Sequence, residues 1–170
     1  MATPQLHHTM WEETVVYLAE HDQTSGAMGF VLNRPSRTPV DALFEQMQIE
    51  HAPIHGDSVY LGGPVKENSI YMLHSGDWYS ASTKPVDTQL SWSYDNFMLE
   101  KMAMNDEPDE WSMFAGCCSW TPGQLESELD RGSWLTIDAN PAIVFSSKKS
   151  QLWTLCIEIY GQTMIDSHFA

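Results

Sequence analysis

The stretch that decides the fold is VVYLAEHDQTSGAMGFVLN, residues 15–33. Its two halves, 15–21 and 27–33, are rich in the β-branched and aromatic residues that are typical of strands. The segment between them, DQTSG, consists mainly of residues that favour turns. The stretch therefore predicts a β-hairpin.

The segments that follow the hairpin predict strands and helices in turn. RPSRTP, residues 34–39, is expected to break the strand, and Thr38 followed by Pro39 and Asp41 resembles a capped helix start. Apolar residues at helical spacing then predict a helix over 39–48 that lies on a sheet. Beyond it we expect strands at 58–64, 69–75 and 89–95, with a Gly-Gly-Pro corner between the first two, and a helix near 94–104.

The last third of the chain contains further strand and helix patterns. WSMFAGCC, residues 111–118, predicts a buried strand, and the capping-box pattern from Thr121 to Gln124 predicts a helix through about Asp130. The remaining expectations are strands at 134–138 and 142–146 and a final helix at 150–161 that ends at Gly161. The hairpin and the corner interrupt a regular alternation, so the pattern predicts one domain, 1–170, of mixed α/β or α+β class.

The charge of the chain limits its partners. Its 23 acidic and 8 basic residues give a formal net charge of -15. Nucleic-acid binding depends on Lys and Arg side chains that neutralise phosphates, so no direct nucleic acid partner is expected, and anionic membrane surfaces are disfavoured for the same reason. No apolar run is long enough to cross a membrane, and three cysteines do not indicate a disulfide framework. We therefore expect a cytoplasmic protein with free thiols.

Several spaced motifs resemble one known family. The order TVVYLAEHD…GAMGFVLNRP, VYLGGPV, LHSGDWYSAS and WTPGQLESEL…SWLTIDANPAIVF is similar to the AlgH/YqgE-like family of small bacterial proteins, over about residues 4–165. The resemblance implies a bent, barrel-like mixed sheet with helices packed on its outside. It implies no cofactor and no established enzyme activity, and the label "transcriptional regulator" is often attached to relatives.

The chain departs from the family pattern in two places. Relatives usually begin with a strand of the type HFLIAMP, whereas this chain reads MATPQL, so the first strand is expected to be short and a sheet edge exposed or differently paired. Relatives also tend to read GYAGWGPGQLE where this chain reads AGCCSWTPGQLE, with Ser119 in place of a glycine. The resemblance therefore does not imply a family role for the thiols.

Cys117 and Cys118 precede a predicted helix, whose N-terminal amides could stabilise a thiolate. Side chains alternate across a strand, so at most one of the two thiols can face the helix terminus. Cys118 is the candidate reactive thiol and is expected to be the more exposed. The alternative is that both pack in the core, because free cysteine is one of the most buried residue types.

The histidines do not follow a metal-binding pattern. A metal site is expected to show spacings such as Cys-x-x-Cys or His-x-x-x-His on a helix. His7-His8 and the pair His51…His55 are the nearest approximations, but Pro53 disfavours the helix that would align the second pair. The sequence therefore predicts no metal site and no cofactor.

Polar residues at the predicted strand ends form a candidate ligand site. His21 and His74 match positions that are commonly His in the resembling family, and strand ends are where loops converge on pockets. The candidate ligand-binding residues are His21, Asn33, Gly62, Gly63, His74, Trp120, Gln124 and Glu126. The alternative is structural: such residues also hold turns and helix starts without touching a ligand.

These observations favour a non-enzymatic binding or regulatory module that acts through a protein partner or a small ligand. A second hypothesis is a thiol-dependent enzyme or redox sensor that uses Cys118. A third, direct DNA binding by a transcriptional regulator, is disfavoured by the net charge of -15.

Overall fold

The structure is a computed structural model that describes residues 1–51 and 58–168. The chain divides into two units, the first formed by Met1–Asn33 with Ser119–Ala170 and the second by Arg34–Cys118. The strands are β1 (Val16–Asp22), β2 (Gly26–Val31), β3 (Pro35–Pro39), β4 (Ser58–Leu61), β5 (Val65–Ser75), β6 (Lys84–Pro85), β7 (Leu90–Ser93) and β8 (Trp111–Trp120). The helices are α1 (Val40–Gln46), α2 (Asn96–Ala103), α3 (Gln124–Asp130), α4 (Pro141–Val144) and α5 (Leu152–His168), with short 3₁₀ helices at Pro4–Leu6 and Lys149–Gln151. The single domain expected from the sequence stays a prediction.

The first unit contains the predicted hairpin. Strands β1 and β2 pair antiparallel, from Val16 opposite Val31 to Asp22 opposite Gly26. In the turn, Asp22 Oδ1 accepts hydrogen bonds from the backbone N–H groups of Thr24 (2.8 Å) and Ser25 (3.0 Å). The pKa of Asp22 is well below its ordinary value because the hydrogen bonds from Thr24 and Ser25 favour the carboxylate. The turn predicted from composition is therefore closed by an aspartate side chain.

Three expectations for the C-terminal part of the first unit are wrong. The segment 142–146 lies mostly in helix α4, because Asn140 accepts a hydrogen bond from Ile143 N–H and Pro141 occupies the first turn. The segment 134–138 contains no extended strand, and Trp134 makes only an isolated antiparallel bridge with Ala2. Helix α5 continues past Gly161 to His168, so this glycine lies inside the helix.

The second unit contains a mixed sheet with the strand order β3-β4-β8-β5-β7-β6. The pairs β3–β4, β8–β5, β5–β7 and β7–β6 are antiparallel, and β4–β8 is parallel. Between Val65 and Ile70 the register of β5 against β8 shifts, which indicates a bulge and a local bend of the strand. The predicted strands at 58–64, 69–75, 89–95 and 111–118 are all present here in part.

Helices α1 and α2 pack on this sheet, as the sequence predicts for the first of them. Phe44 of α1 and Met98 of α2 belong to the same buried cluster as Met72 of β5 and Met113 of β8, which lie opposite each other in the sheet. Because alternate residues of a strand share a face, the residues at 70 and 72 and those at 111, 113 and 115 all contact this cluster. The helices therefore cover one face of the sheet of the second unit.

The strand break expected before the segment 34–39 is present, because β2 ends at Val31, but the segment itself forms a strand that the sequence did not predict. It forms β3, which lies at the edge of the strand order of the second unit and is paired with β4. Proline is tolerated there because an edge strand has one side that makes no ladder hydrogen bonds. The helix start is also different, since the N-cap residue of α1 is Pro39 and it makes no side-chain cap.

Candidate functional site

The thiols of β8 are buried. Cys117 is 4% and Cys118 1% exposed, so the expectation that Cys118 is exposed is wrong. The Sγ atom of Cys118 donates a hydrogen bond to Gly62 O (3.5 Å), and burial raises its pKa to about 12. Burial also raises the pKa of Cys117 and of the fully buried Cys156. A raised pKa disfavours the nucleophilic thiolate, so the geometry does not favour thiol chemistry at these positions.

His74 lies in the interior of the second unit with both ring nitrogens hydrogen-bonded. Its Nδ1 lies 2.8 Å from Ser75 O and therefore carries the proton, while Nε2 accepts from Ser93 Oγ at 3.0 Å. The ring packs edge-on against Trp78, with centroids 5.1 Å apart. Burial lowers the pKa of His74, which favours the neutral imidazole. The His74 side chain is therefore buried against the sheet and is not exposed to solvent.

His21 and Glu126, by contrast, meet at the surface of the first unit. His21 Nε2 lies 2.6 Å from Glu126 Oε1, and the two side chains are 47% and 45% exposed. The hydrogen bond from His21 holds the pKa of Glu126 below its ordinary value. The sequence places these two residues in one candidate site, and the structure brings them into contact. An exposed pair of this kind contributes little stability.

Asn33 and Gln124 make local structural contacts within the first unit. The Asn33 side chain accepts from Val15 N–H (3.0 Å) and donates to Glu13 O (2.8 Å), which fixes the entry into β1. Gln124 Oε1 accepts from Thr121 N–H at 3.1 Å, which is one half of the predicted capping box. The other half is absent, because the N-cap residue of α3 is Gly123 and it makes no side-chain cap. Both side chains therefore have the contacts of residues that stabilise turns and helix starts, which was the structural alternative to ligand binding.

Glu128 organises the surroundings of Trp120 and was not among the candidate residues. Its Oε2 accepts from the indole N–H of Trp120 (2.9 Å) and of Trp134 (2.8 Å), and its Oε1 accepts from Gln124 Nε2 (2.9 Å). Burial would raise the pKa of Glu128, but these three hydrogen bonds outweigh it and hold the pKa below its ordinary value. The Gln124–Glu128 spacing of one helical turn is the sequence signal that could have revealed this contact.

Gly62 and Gly63 of the Gly-Gly-Pro corner have backbone roles in the second unit. Gly62 donates its N–H to Ala115 O at 2.8 Å, and Gly63 has a φ of +148°. Of the candidate ligand residues, Gly62, Gly63 and His74 belong to the second unit and the others to the first. That His21, Asn33 and His74 share one concave region stays a prediction.

A cleft of about 310 Å³ opens in the second unit. Its lining residues include Lys66, Asn68, Tyr71, Tyr94 and Asn96, with apolar contacts from Met47, Ile70 and Leu99. The volume falls in the range of small-molecule sites, and such sites combine apolar walls with a few polar groups. Sequence reasoning missed this cleft, because its residues come from the end of α1, from β5, and from α2 and the residues just before it, and they share no local motif.

Aromatic rings dominate one side of this cleft. Tyr94 is 50% exposed and stacks on Trp92, with ring centroids 5.3 Å apart and planes inclined by 29°. The Tyr71 ring lies 6.4 Å from Tyr94. Burial raises the pKa of Tyr71 to about 12, and the Tyr71 hydroxyl has side-chain hydrogen bonds with Cys117 and Ser69. The cleft therefore offers a ring surface and the ammonium group of Lys66.

The first unit has a smaller crevice of about 210 Å³. Its walls are mostly apolar and include Leu32, Ile143, Val144 and the sulfur-bearing Cys156. Few polar groups line it, so it offers little to orient a ligand.

Among the described residues, one cluster has the donors for a metal ion: His7, His8 and Glu12 of the first unit. His51, which the sequence pairs with His55, has Nδ1 at 3.7 Å from Asp41 Oδ1. His55 itself and Pro53 lie outside the described residues. Within residues 1–51 and 58–168, no helix has the length and apolar composition that crossing a membrane requires.

Comparison with known proteins gives consistent matches over nearly the whole chain. Residues 1–165 match the family model described as AlgH-like. A UPF0301 protein of Shewanella baltica is 34% identical over 158 residues, which cover 90% of this chain and 84% of the relative. A UPF0301 protein of Chromohalobacter salexigens is 34% identical over 166 residues, covering 95% and 88%.

Two solved structures share the fold. The solution structure of the AlgH protein from Pseudomonas aeruginosa matches with a TM-score of 0.81 and 31% identity, covering 95% of this chain and 86% of that one. The crystal structure of protein DIP2367 from Corynebacterium diphtheriae matches with a TM-score of 0.71 over 90% of this chain and 80% of that one, and at 21% identity it shows the fold alone. The matches confirm the mixed α+β class and the resemblance found in the sequence.

Proposed function

This chain belongs to the AlgH-like family, and we propose that it acts as a non-enzymatic binding module whose small-ligand site is the cleft of the second unit. The observation that carries the proposal is the combination in one cleft of an exposed, stacked tyrosine ring with the ammonium group of Lys66. We assign the module to the cytoplasm, where thiols stay reduced, because its three cysteines are unpaired.

The chemistry of the lining favours a ligand with a flat ring and one acidic group. The Tyr94 face supports stacking, and the side-chain amides of Asn68 and Asn96 supply donors and acceptors at the rim. Asp95 also lines the cleft, but its carboxylate accepts hydrogen bonds from Ser80, Ser82 and Met98. Lys66 is thus the group best suited to bind a ligand carboxylate.

The thiol-dependent alternative has little physical support. Cys118 is 1% exposed and burial raises its pKa to about 12, whereas a reactive cysteine needs access and a lowered pKa. His74 has both nitrogens engaged within the sheet of the second unit. The proposed function therefore includes no catalytic step.

In this proposal, regulation runs through ligand-dependent protein contacts and not through direct DNA binding. A formal charge of -15 opposes direct binding to the phosphate backbone of DNA. Electrophoretic mobility shift at physiological salt tests this part, and retained DNA binding would contradict it.

Tyr94→Ser is expected to weaken ligand binding at the cleft by about tenfold, because it removes a stacked ring contact of about 1.4 kcal/mol. The probe is a panel of ring-bearing carboxylic acids paired with their carboxamides, screened by thermal shift on the full chain and measured by calorimetry. The acids should bind more tightly than the amides, and Lys66→Gln should remove that difference.

Tyr79→Ser is the matched control. Tyr79 is 75% exposed, belongs to the second unit and lies outside the cleft lining. Its loss should leave the dissociation constant within about twofold of the parent. Equal weakening by both substitutions, or no saturable binding of any panel member, would contradict the proposal.

A further inference from the structure

Three side chains with metal-binding atoms converge in the turn that follows the first 3₁₀ helix. One ligand atom from each of His7, His8 and Glu12 lies within 4.8 Å of the other two. The Nδ1 atom of His7 contacts Glu12 Oε1 directly, and the His7 and His8 rings lie with centroids 3.8 Å apart. Sequence spacing did not reveal the group, because a turn rather than a helix brings position 12 back to positions 7 and 8.

The backbone of this turn orients the carboxylate of Glu12. Glu12 Oε2 accepts a hydrogen bond from His8 N–H at 3.1 Å, so the carboxylate is fixed by the main chain as well as by His7. Thr9 Oγ1 donates to Leu6 O at 2.6 Å and accepts from Trp11 N–H at 3.1 Å. A carboxylate oriented by a second hydrogen bond is the kind of support that metal ligands have in known sites.

The turn is also attached to the rest of the first unit. Trp11 packs edge-on against Trp134, with ring centroids 5.7 Å apart. Thr3, which caps the preceding 3₁₀ helix, donates its hydroxyl to Gly132 O at 2.7 Å. The donor atoms are therefore carried by a segment with fixed contacts on both sides.

We propose that His7, His8 and Glu12 bind one divalent transition-metal ion of the Zn²⁺ type. Two imidazole nitrogens and one carboxylate oxygen suit Zn²⁺, Co²⁺, Ni²⁺ or Cu²⁺, whereas Mg²⁺ and Ca²⁺ prefer all-oxygen sites. Ligand atoms about 2.0–2.1 Å from a tetrahedral ion lie about 3.3 Å from each other. The observed ligand atoms lie within 4.8 Å of one another, so metal binding requires them to move closer together by rotation of the side chains.

The surroundings favour a cation with an open coordination position. The formal charge of -15 raises the local concentration of cations around the chain. The His7 and Glu12 side chains are 58% and 36% exposed, so water or a donor from another molecule can complete the coordination. A tetrahedral site with three protein ligands leaves the fourth position open, so the ligand at that position can exchange.

The test is calorimetric titration of Zn²⁺ into the full chain, prepared without a histidine tag. We expect one ion per chain, and His8→Gln and His7→Gln should each weaken the dissociation constant by at least about tenfold. These residues are exposed, and circular dichroism of each variant verifies that it is folded. With Cu²⁺ as probe, electron paramagnetic resonance should show coupling to two imidazole nitrogens in the parent and to one in each variant.

His21→Gln is the matched control, because His21 is an exposed histidine of the first unit that also contacts a glutamate. Within residues 1–51 and 58–168, that pair does not belong to a group of three metal-binding side chains. The His21→Gln variant should bind Zn²⁺ within about twofold of the parent. The proposal is overturned if the parent shows no single-site binding, or if His21→Gln weakens binding as much as His8→Gln.

Discussion

Replacing Gly63 with alanine is expected to destabilise the second unit by at least about 4 kcal/mol, which leaves little folded protein. Gly63 has a φ of +148°, a conformation that L-residues rarely adopt. A Cβ atom there would lie 2.4 Å from the carbonyl carbon and oxygen of Cys117 and 2.5 Å from the nitrogen of Cys118. These are backbone atoms of β8, so no side-chain rotation relieves the overlap. Urea unfolding and the yield of folded protein measure the effect.

Gly123→Ala is the control for this substitution, because it separates backbone strain from overlap. Gly123 has a φ of +76°, but an added Cβ would meet no atom within 4 Å. The expected loss is about 1–2 kcal/mol, the strain of a left-handed residue alone. If Gly63→Ala lowers the free energy of unfolding no more than Gly123→Ala, the close approach of the corner to β8 is not as described.

Asp95→Ala is expected to lower the free energy of unfolding by about 2–3 kcal/mol. Asp95 is the N-cap of α2 and accepts from Met98 N–H at 2.8 Å. Its two oxygens also accept from Ser80 Oγ (2.7 Å) and Ser82 N–H (2.9 Å), and Ser82 Oγ contacts the second oxygen as well. One carboxylate therefore ties the 80–82 loop to the start of a helix, and its removal leaves several donors without an acceptor.

The same residue predicts a pH dependence. Burial opposes ionisation of Asp95, but the hydrogen bonds from Ser82, Ser80 and Met98 outweigh it and lower its pKa to about 2. Because the pKa is lower in the folded state, the stabilisation is fully present above the unfolded value, about 3.9, and is lost as the pH falls toward about 2. Urea unfolding across that range should show this slope in the parent, and Asp95→Asn should reduce it.

Glu100→Ala, on the exposed face of the same helix, is the matched control for Asp95→Ala. It should change the free energy of unfolding by less than about 0.5 kcal/mol. A loss at Asp95 no larger than the loss at Glu100 would mean that the cap and the 80–82 contacts contribute nothing measurable.

Patterns with a clear local signal predicted the fold well. The β-forming residues on either side of DQTSG predicted the hairpin, and the apolar spacing over 39–48 predicted α1 with Phe44 on the sheet. Short segments failed where local chemistry was ambiguous. In 142–146 the β-branched residues indicated a strand, but the Asn140 cap and Pro141 start a helical turn instead.

The expectation at Gly161 failed for a different reason. A glycine ends a helix when it adopts a left-handed conformation, and Gly161 stays helical within α5. Tertiary contacts and the following residues decide this choice, and the pattern of one segment does not contain them.

The candidate site was less predictable than the fold. Sequence indicated that Thr121 and Gln124 interact at a helix start and that His21 lies near polar residues, and both have such contacts, although the N-cap of α3 is Gly123. It could not indicate that the Cys118 thiol contacts the carbonyl oxygen of Gly62, or that the Glu12 carboxylate contacts His7. Those contacts depend on strand pairing and turn geometry, which bring together residues without a shared local period.

The central claim is that the cysteines and His74 stabilise the fold, while the protein acts by binding a ligand. Alkylation of the thiols by iodoacetamide at mildly alkaline pH tests this claim most directly. Cys117, Cys118 and Cys156 are at most 4% exposed, and burial raises the pKa of each. We expect the native chain to react only as fast as it unfolds and all three thiols to react rapidly in urea. Rapid alkylation of Cys118 in the folded chain, with a pH midpoint below that of an ordinary thiol, would contradict the account.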